Sequence, residues 1–262
     1  MAPSGIALTE DGASLVWTAT GRGDPVVLIA GQAVTMHSWD PAVPALADRF
    51  KVIMYDQRGI GASTEGTEPP STTRAMAQDV QHLLSAIGIA RAHVVGHSMG
   101  GRVAQWLAID HPDAVGALAL IATTGGDTPA RARTPEATAD LASGDAGRLA
   151  HRFFSDSYLR EHPAAIEVFV RKEGSLATRR RAFHASSTHD AWARLGGIRS
   201  PTLVVHGSAD TITTEPNGRA LAEQIPRAEY LEVVDGRHAP HIDDPRVTEV
   251  IADFLQQHPL TG

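Results

Sequence analysis

A serine set among glycines, followed much later by an aspartate and then a histidine, supplies the types needed for nucleophilic chemistry. Ser98 lies in "HVVGHSMGGRVAQW", His93 to Trp106, where Gly96, Ser98 and Gly100 form G-x-S-x-G. The segment runs β-branched and apolar, meets glycine, and then turns helical in pattern. If strand, sharp turn and helix follow one another, Ser98 sits at the apex with its hydroxyl exposed. Glycine is then required where a side chain would clash with the bend. A serine hydroxyl is a poor nucleophile alone. It needs a base to take its proton and an acid to orient that base.

In a parallel sheet, such partners belong on loops at the carboxyl ends of later strands. The apolar run "TLVVHG" leads into Ser208-Ala209-Asp210, and "YLEVV" leads into Asp235-Gly236-Arg237-His238. Asp210 follows Ser98 by 112 residues and His238 follows Asp210 by 28. Plainer roles compete with this reading. Ser98 can be a turn residue, and Asp210 a helix cap. Asp127, beyond an earlier strand, is a rival acid. His238 has His241 beside it and is one of 13 histidines, so residue type alone does not decide.

The elements that must position these groups are readable from periodicity. Strands are expected at 14–19, 26–30, 51–55, 92–95, 118–122, 202–206 and 230–234. Helices are expected at 41–48, 71–87, 99–110, 216–224 and 245–256. In the second helix Met76, Val80, Leu83, Leu84 and Ile87 share a face, residues 71–73 offer a cap and Gly88 a stop. Continuously apolar strands suit a sheet covered on both faces, and their alternation with helices means an α/β, doubly wound, mostly parallel sheet. Between 127 and 195 the pattern changes to alanine- and arginine-rich, helical and strand-free. This block, with 11 of the 23 basic residues, reads as a helical cap over a core formed by 1–126 and 196–262.

Composition narrows the function classes. The chain of 262 residues is 42% hydrophobic and 20% charged, as in an ordinary globular protein. A net charge of -7 argues against non-specific nucleic-acid binding and against an anionic membrane surface. No cysteine is present, which removes disulfides, thiolate nucleophiles and Cys-ligated metals. The opening MAPSGIALTEDG has no basic start and no apolar run, so no signal peptide is read there, and the expected location is the cytoplasm. Apolar runs are strand-sized, far short of a membrane span. No metal site is expected, because the His and acidic residues do not cluster at ligand spacing.

The chain resembles the α/β-hydrolase superfamily across nearly its whole length. The resemblance rests on "YDQRGIGAS" (55–63), "GHSMGG" (96–101), "PTLVVHGSAD" (201–210) and "GRHAPHIDDP" (236–245), in order and at family spacing. It implies the chain order Ser98, Asp210, His238 for a catalytic triad. It also places the catalytic histidine seven residues before a proline, here Pro245. The family usually has glycine before that histidine; this chain has Arg237, either beside the base or turned to solvent.

The resemblance further implies two backbone N–H donors for an oxyanion, each worth on the order of 3 kcal/mol. These are Met99, after the nucleophile, and Gln32, in the loop after "VVLIA". Many relatives carry His-Gly in that loop, whereas this chain has Ala30-Gly31. The Gln32 side chain is then a candidate substrate contact or a solvated glutamine. Residues 30–40, with Trp39, resemble the 3-oxoadipate enol-lactonases, as do "AQWLA" (104–108) and "FFSDSYLREHP" (153–163). The sequence around His238 departs from that branch.

The expectation is a cofactor-free serine hydrolase acting on a small carboxylic ester or lactone, with Trp39 and Met99 at the pocket floor. A basic cap, including Arg179-Arg180-Arg181, suits an acidic substrate, although an arginine run is usually solvated surface. Carbon–carbon bond hydrolases and perhydrolases of the same fold also use serine. A non-enzymatic small-molecule receptor is the reading from a different class. The partner is a small molecule, not nucleic acid or membrane, and the oligomeric state is open.

Overall fold

The computed structural model describes residues 4–126, 132–143, 145–164, 167, 169 and 173–260. Eight strands form one sheet in the order β1-β2-β4-β3-β5-β6-β7-β8. They are β1 (Ser4–Leu8), β2 (Ser14–Thr20), β3 (Pro25–Ile29), β4 (Lys51–Tyr55), β5 (Ala92–His97), β6 (Val115–Ile121), β7 (Thr202–Gly207) and β8 (Ala228–Val233). β1 and β2 run antiparallel at one edge, and from β4 to β8 every pairing is parallel. This is the α/β fold that the alternating strands and helices predict.

The parallel strands read as unbroken apolar runs because both faces are covered. In β3, Val26 and Leu28 join the core on one face, while Val27 and Ile29 join the core on the other. Helices α1 (Val43–Ala47), α2 (Thr73–Ala86) and α3 (Met99–Asp110) connect the first half. The Thr72 hydroxyl caps α2 by accepting from the Ala75 N–H, and Gly88 adopts φ +74° just past its end.

β1 is the strand that the sequence reading lacks. It is short, lies at the sheet edge, and exposes Ile6 and Leu8, so no buried pattern marks it. Its Gly5 lies under the Trp17 ring, where an added Cβ would stand 3.1 Å from that indole.

Between β6 and β7 the described residues of the cap include the helices α4 (Pro135–Ser143), α5 (Ala146–Phe153), α6 (Asp156–Glu161) and α7 (Leu176–Ser187). The two ends of the insertion meet. Gly126 bridges Asp190, and the Ala191 N–H donates to the Gly125 carbonyl at 2.7 Å. The chain then completes the core with α8 (Glu215–Gln224), the short α9 (Pro240–Asp243) and α10 (Pro245–Gln256). α9 is too brief for periodicity to reveal. Among the described residues no helix is long and apolar enough to cross a membrane.

Candidate active site

Ser98 is the single residue between β5 and α3, with φ +55° and ψ -119°. A non-glycine residue there costs roughly 1–3 kcal/mol and persists only when its surroundings enforce it. Its N–H donates to the Ile121 carbonyl at 2.9 Å, and its own carbonyl accepts from the Thr123 hydroxyl at 2.7 Å. The flanking glycines are sterically required. A Cβ on Gly96 would stand 2.5 Å from the Gly100 carbonyl oxygen, and one on Gly100 would stand 2.1 Å from that of Ile29.

The structure brings Asp210 and His238 to this apex. His238 Nε2 lies 3.0 Å from Ser98 Oγ, and His238 Nδ1 lies 2.7 Å from Asp210 Oδ2. A carboxylate accepts, so Nδ1 carries the proton and Nε2 is left to accept from the serine hydroxyl. Asp210 sits just past β7, with Oδ1 accepting from the Ile212 and Thr213 N–H groups at 2.8 and 3.0 Å. Burial alone would raise its pKa, but the attraction of His238 and hydrogen bonds from His206 and His238 outweigh that. The carboxyl is held well below its usual range. Asp127, the rival acid, lies outside the described residues.

Two further histidines support this pair. His206, on β7 and fully buried, places Nε2 at 3.5 Å from Asp210 Oδ2 and donates to the Thr213 carbonyl at 2.6 Å. His97, the residue before Ser98, donates from Nε2 to the His238 carbonyl at 2.8 Å. Its ring packs against His238 and His241 at 5.1 and 4.9 Å between centroids. Sequence reasoning did not single out either residue. Their positions, next to the nucleophile and four before the acid, were the available signal.

A cavity of about 370 Å³ opens at Ser98 and His238. Gln32 is among the residues that line it. Its apolar wall comes from Val34, Leu141, Phe153, Phe169 and Ile212, and Phe183 stands at it although more than half exposed. Arg102 and Arg133 also line it, and Arg102 donates to the Ser186 carbonyl.

Trp39 does not line this cavity, contrary to the expectation for a pocket-floor residue. It ends a single 3-10 turn, Met36–Trp39, that directs the ring inward, where it is 2% exposed and packs on His241 at 4.8 Å and His97 at 6.4 Å. Trp39 therefore backs the histidines from behind. The Met99 side chain is likewise buried and absent from the cavity wall. Its N–H remains in the first turn of α3, where helix N–H groups lack intrahelical partners.

The loop after β3 is held from below by "YDQRGIGAS". Asp56 accepts from the Met36 and Ala62 N–H groups, and Gln57 Nε2 donates to the Ala30 carbonyl at 2.8 Å. Arg58 anchors the segment through Asp79 and Asp11. From above, the Glu173 N–H of the cap donates to the Ala33 carbonyl at 2.9 Å.

This fold and this clustering of serine, histidine and aspartate define a class. Residues 24–245 match the family of the α/β-hydrolase fold, and the chain belongs to it. The chain is similar to 3-oxoadipate enol-lactonase 1 of Acinetobacter baylyi, at 30% identity over 88% of this chain and 89% of that one. It is also similar to a protein named as a carbamate hydrolase, RutD, of Caulobacter segnis, at 29% identity over 92% of this chain and 94% of that one. Among solved structures, the enol-lactonase from Burkholderia xenovorans LB400 superposes with TM-score 0.81 and 27% identity, covering 97% of this chain and all (100%) of that one. These relatives are hydrolases, and the comparisons support a hydrolase here.

Proposed function

We propose that the chain is a serine hydrolase of small carboxylic esters or lactones, working through an acyl-enzyme without a cofactor. The observation that carries this is His238, held between Ser98 Oγ at 3.0 Å and Asp210 Oδ2 at 2.7 Å, with Ser98 and His238 both lining the cavity. Ser98 Oγ attacks the carbonyl carbon while His238 Nε2 takes its proton. The Gln32 and Met99 N–H groups stabilise the oxyanion. His238 then returns the proton to the leaving alkoxide oxygen, which departs as alcohol; in a lactone it stays tethered to the acyl chain. Water, deprotonated by His238, attacks the acyl-enzyme, and Ser98 leaves with the proton restored. Asp210 keeps His238 in the required tautomer.

The cavity size and its mostly apolar wall favour a small substrate, and the lactonase relatives favour the ester and lactone class. The test pairs a fluorophosphonate probe with multiple-turnover assays on p-nitrophenyl acetate, lactones and vinylogous diketones. Wild type is expected to label and to turn over esters or lactones, and Ser98→Ala is expected to fold and do neither. Labelling that survives in Ser98→Ala overturns the nucleophile. Turnover confined to diketones assigns carbon–carbon cleavage instead, and a single turnover with retained product assigns a receptor.

A further inference from the structure

Arg237 occupies the position before His238 where the family usually carries glycine, and its side chain does not run to solvent. Its Nη1 donates to the carbonyls of His151 at 2.9 Å and Phe154 at 2.6 Å, and to Asp156 Oδ1 at 3.0 Å. The next two residues continue the same seam. The His238 N–H donates to the Arg152 carbonyl at 3.1 Å, and the Ala239 N–H to that of Phe153 at 3.0 Å. Four consecutive carbonyls, 151 to 154, are thus taken by residues 237 to 239. They form the C-terminal end of α5, where carbonyls lack intrahelical donors and a cation is favoured.

The same helix reaches the acid and the cavity. Arg152 Nη1 donates to the Thr211 hydroxyl at 3.2 Å, next to Asp210, and its Nε donates to Asp140 on α4 at 2.7 Å. Phe153 meets the His238 ring edge-on at 5.1 Å and lines the cavity. α5 therefore touches the base loop, the acid loop and the substrate space at once.

We infer that Arg237 is a positioning residue that laces cap helix α5 to the histidine loop, so that the seating of His238 on Ser98 depends on the cap. The catalytic consequence rests on the hydrolase reading above; the lacing itself does not. Arg237→Met keeps much of the aliphatic stem and removes the donors, Arg237→Lys keeps the charge, and Asp156→Asn leaves both carbonyl bonds in place.

The expected result for Arg237→Met is a fall of about tenfold in kcat and in the rate of fluorophosphonate labelling, since small misplacements of reacting groups carry such costs. KM stays within about twofold, because the loss falls on the chemical step. Arg237→Lys recovers part of the rate, and Asp156→Asn loses less than either. Hydrogen exchange at the His238 and Ala239 amides accelerates in Arg237→Met. Wild-type labelling and kcat in Arg237→Met overturn the proposal, as does equal impairment of the Met and Lys variants or unchanged amide exchange. If Arg237→Met does not fold, the order of the other two decides, and an Asp156→Asn slower than Arg237→Lys sinks the idea. If wild type itself fails to label, the hydrolase reading falls, while amide exchange still tests the seam.

Discussion

At the scale of single residues, the arrangement turns on which histidine nitrogen holds the proton. The Asp210 carboxylate fixes it on Nδ1 of His238, and two backbone N–H groups hold the other carboxylate oxygen. Asp210→Asn preserves the shape but presents an amide to Nδ1 and favours the wrong tautomer. A fall of about 10⁴-fold in kcat is expected, measured on the ester that wild type turns over best. A loss under tenfold would move the acid role elsewhere, with Asp127→Asn as the next variant. Ser98, Asp210 and His238 were legible because loop position and chain order select them from many residues of the same type. Trp39 was misplaced because an aromatic at the right offset does not reveal which way its ring turns. His97 and His206 were overlooked because their roles lie in hydrogen bonds to other site residues.

At the scale of elements, the turn from β5 into α3 is built by close backbone approach. Gly100→Ala would drive a Cβ into the Ile29 and Ala30 carbonyls, at 2.1 and 2.6 Å. Neither is a flexible side chain, so relief requires β3 or α3 to shift. A destabilisation of about 3 kcal/mol or more is expected, read as a lower urea midpoint, and near-wild-type stability would count against this geometry. Elements with long apolar runs or clear caps were readable: β4, α3 and α10 have the predicted bounds. β1 and α9 escaped, one exposed at the sheet edge and one four residues long. The cap was readable only as helical. Which of its residues face the cavity depends on contacts with loops more than 50 residues away, such as Phe153 against His238, and local periodicity carries no such information.

At the scale of the whole molecule, buried neutral histidines make stability depend on pH. Burial lowers His93 to about 4 and His189 to about 3, with the nearby Arg102 charge adding to the latter, and burial holds His241 well below 6.5. The contacts of His189 agree with a neutral ring, since Nδ1 accepts from the Thr73 hydroxyl at 2.8 Å and Nε2 donates to Gln105 Oε1 at 3.3 Å. In the unfolded chain each imidazole takes its proton near pH 6.5. Between that pH and the folded values the unfolded state binds more protons, so stability is full above about pH 6.5 and declines as the solution is acidified. By pH 5, His93 and His189 each remove about 2 kcal/mol, and His241 adds to the fall in the same direction. Urea unfolding at pH 7.5 and pH 5 should show the drop, and His189→Gln should reduce it. A flat profile would mean that these rings protonate freely in the fold.

The insertion begins and ends at one bridge, Gly126 with Asp190, which makes it look exchangeable for the cap of a relative. The seam at residues 237 to 239 forbids a simple exchange. A foreign cap would have to offer four carbonyls in register to a guanidinium and two amides on the other side of the junction. Substrate range in this chain can therefore be re-engineered or inherited only when the cap and the histidine loop travel together, although 83 residues separate Arg237 from Phe154 in the chain.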